Sequence, residues 1–479
     1  MNYRMIGYLL GIILAIEAAL MSLPLLTAFI YKESIFPFLI TMVAILVIAL
    51  PAIIQRPKNT QIYAKDGYVT VAAGWILMSA FGALPFVISG AIPNYIDALF
   101  ETVSGFTTTG ATILTEIESL PRGILFWRSF THWIGGMGVL VFMLAILPSG
   151  NGQAMYLMRA EVPGPTKGKL VPKMKQTALI LYGIYFALTV VMVIALLICR
   201  LPLYDAVVNS FSTAGTGGFS VLNNSIGGYN NPAVEWVIAI FMFIFGVNFN
   251  LYFFMLLGKF KDVFKNEEFR AYLLIFAASI TLIAINTAHT FEKISDCIRA
   301  SFFQVATIIS TTGFSTLDFN LWPDFSKAII IFLLITGACA GSTAGGLKIS
   351  RLLILLKSIV REIRHMLRPR SVNVTRVDGE ALPDETVRSA LGYLAMYVTL
   401  IMATFLLISF DDFGFSTNFT AVLTCVNNVG PGLDMVGPMG NFSAYSVFSK
   451  IVLSVDMLFG RLEIMPMIIL FSPFAWKKR

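Results

Sequence analysis

The chain is 479 residues long, 57% apolar and only 13% charged, with a mean hydropathy of +0.79, which excludes an ordinary soluble domain and implies a polytopic membrane protein. Its net charge of +7 does not imply a nucleic-acid partner, because the basic residues fall in short stretches between apolar spans, where topology signals belong. Cys199, Cys297, Cys339 and Cys425 lack paired spacing and His132, His289 and His365 are scattered, so neither a disulfide framework nor a metal centre is indicated.

Apolar stretches of about 20 residues, enough to cross a bilayer core, predict spans at 5–30, 36–54, 69–90, 125–147, 176–199, 233–257, 270–289, 327–358, 389–410 and 444–474. The first mimics a secretory signal, with Arg4 before it, but it contains Glu17, continues to about Ile30 and is followed by further spans. It reads as a retained helix. Four of the connections hold an apolar segment too short to cross, then a turn rich in Thr, Ser or Asn and centred on glycine. The turns are TTGAT from Thr108, TGGFS from Thr216, TTGFST from Thr311 and NVGPG from Asn428. Irregular backbone survives at membrane depth only when buried in protein or lining water, so each connection reads as a re-entrant helix with an extended return.

The predicted fold class is an all-α polytopic membrane protein with ten transmembrane helices, in which four pseudo-repeats of helix, re-entrant pore loop and helix surround one central pore. Two extra N-terminal helices occupy 1–66, followed by pore repeats at 67–150, 151–260, 261–370 and 371–479. Topology charge agrees with this arrangement. If the pore loops do not cross, Arg4, Arg56 to Lys65, Arg159 to Lys175, Lys259 to Lys265, Arg361 to Arg388 and Lys477 to Arg479 share one side, the cytoplasm, with both termini. The opposite face carries Asp97, Glu101, Glu116, Glu118, Asp205, Glu235, Asp318, Asp324, Asp411 and Asp412, an acidic vestibule expected to concentrate cations.

Aligning the turns puts Gly110, Gly218, Gly313 and Gly430 in register, and Asp97 and Asp205 stand at the same distance before their glycines. A strand whose carbonyls face one axis must visit positive φ, which glycine does at little cost while keeping the axis clear of side chains. Four such strands can replace a cation's water with peptide oxygens, as in ion filters. The candidate filter comprises Thr108, Thr109, Gly110, Thr216, Gly217, Gly218, Thr311, Thr312, Gly313, Asn428, Val429 and Gly430, with the Thr and Asn side chains expected to pin the turns. Any one of these glycines alone would read as a helix C-cap.

Gly337 to Lys348, GACAGSTAGGLK, interrupts the span at 327–358 with a composition that disfavours a continuous helix by about 1 kcal/mol per glycine. Gly341, Ser342, Thr343, Ala344, Gly345 and Gly346 are therefore gate candidates, the alternative being a small-residue packing face at Gly337, Gly341 and Gly345. Arg461 lies inside the last span, where an unpaired arginine costs about 2.5 to 3.5 kcal/mol, so it must face the pore or a carboxylate. No enzyme chemistry is visible: the glycines of WIGGMG open no βαβ unit, and no nucleotide loop or acyl-transfer constellation occurs.

Seven motifs in order, TTTGAT, HWIGGMG, TGGFSV, STTGFST, GSTAGGLK, NNVGPG and GRLE, resemble those of the Trk/Ktr/HKT superfamily of potassium transporters, and specifically its Trk-type membrane subunit with two extra N-terminal helices. The resemblance covers essentially the whole chain. It implies potassium preference through Gly110, a flexible intramembrane loop at Gly341 to Gly346 that blocks the path, and a barrier arginine, Arg461, beneath the filter. It further implies uptake across the inner membrane, a homodimer, and a cytosolic nucleotide-binding ring docked on the basic stretches Gly152 to Lys175 and Arg361 to Arg388. No cofactor is expected on the chain itself, potassium is the substrate, and membrane lipid surrounds it. The second repeat departs from the pattern, with Gly217 standing before Gly218. A symporter coupling potassium to protons or sodium is the alternative reading, and it would need titratable groups buried along the path.

Overall fold

A computed structural model describes residues 1–59, 61–138, 174–370 and 373–476. The basic residues at 152–173, Lys477 to Arg479 and the far part of the span expected at 125–147 lie outside these.

Apolar side chains cover the outer surface as well as filling the interior, and polar side chains are buried around the four turns. The helix Phe36–Ile54 exposes Leu39, Ile40, Val43, Val47 and Ile54, while Thr102, Ser104, Thr108, Ser212, Thr311 and Thr424 are buried at the centre. An apolar outer surface with its polar side chains gathered inside the protein is what a hydrocarbon solvent favours, since lipid offers those groups no partner. Six helical spans among the described residues are long and apolar enough to cross a membrane: Tyr3–Ile30, Phe36–Ile54, Lys65–Ile88, Gln176–Ile198, Glu267–Thr290 and Asp384–Asp411.

Each glycine turn follows the C-terminus of a short buried helix: Tyr95–Phe106, Leu203–Ala214, Ile294–Ile309 and Phe415–Asn427. The element after each turn is where the expected long spans differ from the structure. Pro232–Phe245 and Phe249–Leu256 meet at a bend of 91°. Asp324–Thr336 and Ile349–Leu367 are separated by the glycine-rich segment, and Val447–Arg461 and Met465–Phe471 by a three-residue break. The helix Arg122–Gly136 likewise ends at the WIGGMG glycines.

Such breaks free backbone groups that lipid cannot satisfy, and the protein supplies partners. At the 91° bend, the Gly246 carbonyl accepts from the Cys339 N–H at 3.1 Å, and the Phe249 N–H donates to the Gly341 carbonyl at 3.0 Å. The glycine-rich segment thus completes the ladder of its neighbour's broken helix. A further departure from an all-helical chain is a two-stranded antiparallel hairpin, Arg376–Val377 with Glu380–Ala381, closed by Asp378-Gly379 with both residues at positive φ. The Asp378 carboxylate accepts from the Glu267 N–H at 2.7 Å and so satisfies an orphan donor at the start of Glu267–Thr287.

Candidate ion-conducting site

The four turns share one backbone recipe. Thr108, Thr216, Thr311 and Asn428 adopt left-handed φ values of 57°, 56°, 56° and 53°, and two residues later Gly110, Gly218, Gly313 and Gly430 lie at 79°, 80°, 87° and 94°. Because the residues between them keep the ordinary hand, successive carbonyls swing to one side of each strand.

The strands close into a ring. A methyl group on Gly110 would stand 2.0 Å from the Gly217 oxygen, on Gly218 2.1 Å from the Thr312 oxygen, on Gly313 2.2 Å from the Val429 oxygen, and on Gly430 2.7 Å from the Thr109 oxygen. Each glycine therefore lies against the carbonyl of the next turn, and the fourth returns to the first. No side chain fits at any of the four, and the carbonyls of 109, 217, 312 and 429 crowd one axis. The four short helices also bring the negative ends of their dipoles to it.

The side chains behind the ring pin it. The Thr109 and Thr312 hydroxyls lie 2.8 and 2.7 Å from those of Thr107 and Ser310, which themselves donate to the Val103 and Ala306 carbonyls one helical turn back. The Asn428 amide donates to the Thr109 hydroxyl at 3.0 Å and to the Met457 carbonyl at 2.9 Å. The structure also explains the second turn's departure. The buried His132 ring stacks on Phe219, with ring centroids 4.1 Å apart, and occupies the space of a residue-217 side chain, where a Cβ would meet its Cγ at 2.3 Å.

On the glycine side the ring opens into a cavity of about 190 Å³ lined by Gly110, Gly218, Gly313 and Gly430 together with Thr112, Ser220 and Arg128. Four of the ten acids expected on this face stand in ion pairs. Glu101 is buried against Arg128 at 2.6 Å, Asp97 pairs with Lys450 at 2.7 Å, Glu235 with Arg299 at 2.7 Å and Asp324 with Lys327 at 3.6 Å. Partners such as Lys450 come from a distant repeat, so sequence proximity could not reveal them. Arg128 also donates to the Ser220 carbonyl at 3.1 Å, and Glu101 accepts from the Ile113 N–H at 3.0 Å, so this pair ties together the exits of the first two turns.

The opposite end is closed. The Gly345 N–H donates to the Thr311 hydroxyl at 2.7 Å, and a Cβ on Gly345 would stand 2.2 Å from the Asn427 oxygen, which places the glycine-rich segment directly against the third and fourth turns. Half-buried Arg461 meets the segment there. Its Nη1 donates to the Thr343 carbonyl at 2.8 Å and the Thr108 hydroxyl at 3.2 Å, and its Nη2 to the Gly135 and Gly136 carbonyls at 2.5 and 2.6 Å. Of the candidate gate residues, Thr343, Gly345 and Arg461 touch the ring or its supports. Ser342 caps the segment internally onto the Cys339 carbonyl at 2.6 Å, and Gly341, Ala344 and Gly346 shape it: Gly341 and Gly346 lie at positive φ, and the Ala344 carbonyl receives the Lys348 ammonium.

Sequence reasoning missed two latches. Glu268 looks like an ordinary first-turn acid, yet its buried carboxylate accepts from the N–H groups of Ala340 and Ser350, at 2.6 and 3.1 Å, holding both ends of the segment. Arg351, just beyond it, is paired with Glu463 in the break after Arg461, where Glu463 and Ile464 have φ of 58° and 65°. A β-branched residue at that φ is strained. The only available signal was the density of charge around the two breaks. Among the described residues, no group of three or more His, Cys, Asp or Glu side chains could hold a metal ion.

Comparison with known proteins covers the whole chain. A family model described as TrkH, cation transport protein, matches residues 35–478. The Trk system potassium uptake protein TrkH of Salmonella typhimurium is 35% identical over 493 residues, spanning 100% of both chains. The Trk system potassium uptake protein TrkG of Escherichia coli is 34% identical over 99% of each. The crystal structure of the potassium transporter TrkH from Vibrio parahaemolyticus superposes with a TM-score of 0.89 at 32% identity, covering 100% of both chains.

Proposed function

The chain belongs to the TrkH family of cation transport proteins, membrane transporters and not enzymes, and from that premise we propose that it takes up potassium across the cytoplasmic membrane through a pore whose filter is the glycine ring. Its relatives are named for potassium uptake. The observation that carries the reading is the closed cycle of contacts from Gly110 through Gly218 and Gly313 to Gly430 and back to residue 109. Peptide oxygens gathered on one axis, with no side chain admitted, substitute for the hydration shell of a monovalent cation.

In this reading ten transmembrane helices form, with the broken elements completing four repeats behind two leading helices, and both termini are cytoplasmic. The 190 Å³ cavity is the outer mouth, and the segment with Arg461 is the inner gate. Opening then requires Arg461 and the segment to part, and the work is assigned to a cytosolic nucleotide-binding ring acting on a homodimer through basic stretches such as Arg361 to Arg388. The test is the reversal potential of purified protein in proteoliposomes under opposed potassium and proton gradients. Reversal at the potassium Nernst value is the expected result. Displacement by the proton or sodium gradient would establish symport instead.

A further inference from the structure

Two adjacent acids at the start of the helix Glu267–Thr287 take partners on opposite sides of it. Glu268 is buried, and its carboxylate holds the Ala340 and Ser350 N–H groups at the two ends of the glycine-rich segment. Glu267 is part-exposed and takes the Lys357 ammonium, from the helix Ile349–Leu367 that leaves the segment. Ser350 and Lys357 stand about two turns apart on that helix and so share a face. The two helices are therefore stitched together twice, once beside the segment and once nearer the surface. The Asp378-Gly379 hairpin is fastened across the second stitch. The Asp378 carboxylate accepts from the Glu267 N–H at 2.7 Å and from the Asn266 side-chain amide at 3.2 Å, while the Lys357 ammonium donates to the Arg376 carbonyl at 2.8 Å. Asn266 is itself the helix cap, its side-chain oxygen accepting from the Phe269 N–H at 2.9 Å. One exposed turn thus fixes the cap, the first N–H and the side-chain partner of the residue before Glu268. Helix ends held only by their own hydrogen bonds fray. This one cannot turn Glu268 away from the segment without first breaking the hairpin's grip.

We propose that Asp378 and Lys357 are positioning residues for gating: the hairpin clamp holds Glu268 in the orientation that fastens the glycine-rich segment, and release of the clamp frees the segment. The inference rests on the reading of that segment as the inner gate. It gives the hairpin a task beyond satisfying an orphan donor. A displacement of this exposed turn reaches the segment through one peptide unit, the one joining Glu267 to Glu268, and the coupling is carried by a contiguous set of hydrogen bonds and ion pairs. The clamp belongs to the closed state alone, so loosening it shifts the gate toward open without touching the ring.

The test is rubidium uptake by the full chain in proteoliposomes, scaled to correctly inserted protein. Asp378→Gly removes the carboxylate at a position whose φ of 53° glycine accepts freely, and Asp378→Asn keeps an oxygen for the Glu267 N–H in a residue that tolerates the same φ. Asp378→Gly should raise uptake by about fivefold to tenfold, Lys357→Met should match it, and Asp378→Asn should stay within about twofold of wild type. In a Glu268→Gln background Asp378→Gly and Lys357→Met should add little, because the latch through which they act is already weakened. The potassium-to-sodium ratio should be unaltered throughout. Wild-type or reduced uptake in Asp378→Gly overturns the inference, as does an equal rise in Asp378→Asn. Effects that multiply with that of Glu268→Gln overturn it too, since the hairpin would then act elsewhere. Absence of rubidium uptake in every protein, these variants included, would instead overturn the pore reading.

Discussion

The two ends of the glycine ring are fastened by different chemistry. At the open end a fully buried ion pair, Glu101 with Arg128, joins the first short helix, the helix after it and the strand leaving the second turn. At the closed end the glycine-rich segment and Arg461 meet the ring and its supports through hydrogen bonds to peptide and hydroxyl oxygens, Gly345 to Thr311 and Arg461 to four partners. The Glu268 latch and the Arg351–Glu463 ion pair hold the segment and the break after Arg461 from behind. Separating a buried pair strands a charge, whereas each hydrogen bond contributes only about 0.5 to 1.5 kcal/mol net, somewhat more when charged. The first end is therefore built to stay fixed and the second to part.

If this difference governs the molecule, damage at the open end should lower stability and uptake together. Glu101→Ala leaves Arg128 buried without its carboxylate and should cost about 3 to 5 kcal/mol. The expected outcome is a large fall in thermal midpoint in detergent and loss of rubidium uptake; unaltered melting would break the comparison. Gly217→Ala should be nearly as severe, because its methyl would collide with the His132 ring. Partial recovery in Gly217→Ala/His132→Ala, read as uptake with potassium preference retained, would show that the collision and not lost backbone freedom is the cause.

Damage at the closed end should separate the two readouts. Arg461→Ala removes one cation and four hydrogen bonds from beneath the ring and should raise uptake by more than about tenfold in a protein of near-normal melting temperature. Unchanged flux in a folded variant would remove the barrier role. Glu268→Gln keeps a single oxygen of the kind that accepts from both Ala340 and Ser350 but removes the charge that strengthens both hydrogen bonds. A smaller rise in uptake is expected, measured as rubidium flux per correctly inserted protein.

How much of this was legible beforehand depends on the range of the interaction. The turns were legible because a glycine's requirement for positive φ and an empty axis is local, and all four glycines sit where those demands are met. Gly217 could be seen as a departure but not explained, because the His132 ring that fills its side-chain space comes from the preceding repeat. The ion pair of Asp97 was not legible for the same reason, since Lys450 reaches it across 353 positions of sequence. Of the broken helices only the one interrupted at Gly337 to Lys348 was legible, since Gly246 and the WIGGMG glycines also stand at helix ends but inside stretches expected to be continuous spans. Nothing in GRLEIMP announces positive φ at Glu463 and Ile464, which tertiary contacts such as Arg351 to Glu463 accompany. The Asp378-Gly379 hairpin carried a clear turn signal, but the surrounding basic stretch disguised it as topology charge.

The smallest expected effect is also the sharpest probe of the comparison. Thr311 belongs to the ring by its backbone and to the proposed gate by its side chain, whose hydroxyl accepts from Gly345 at 2.7 Å. Thr311→Val deletes that contact with little change in volume while leaving every ring carbonyl in place. In the closed state the Gly345 N–H then lacks its acceptor, and in the open state nothing is lost, so the closed state alone is weakened by about 1 kcal/mol. That corresponds to roughly a fivefold rise in the ratio of open to closed. Uptake at limiting activation should rise by up to this factor, with the potassium-to-sodium permeability ratio unaltered. A changed ratio with constant flux would mean that the hydroxyl serves the filter and that the two ends are not independently built.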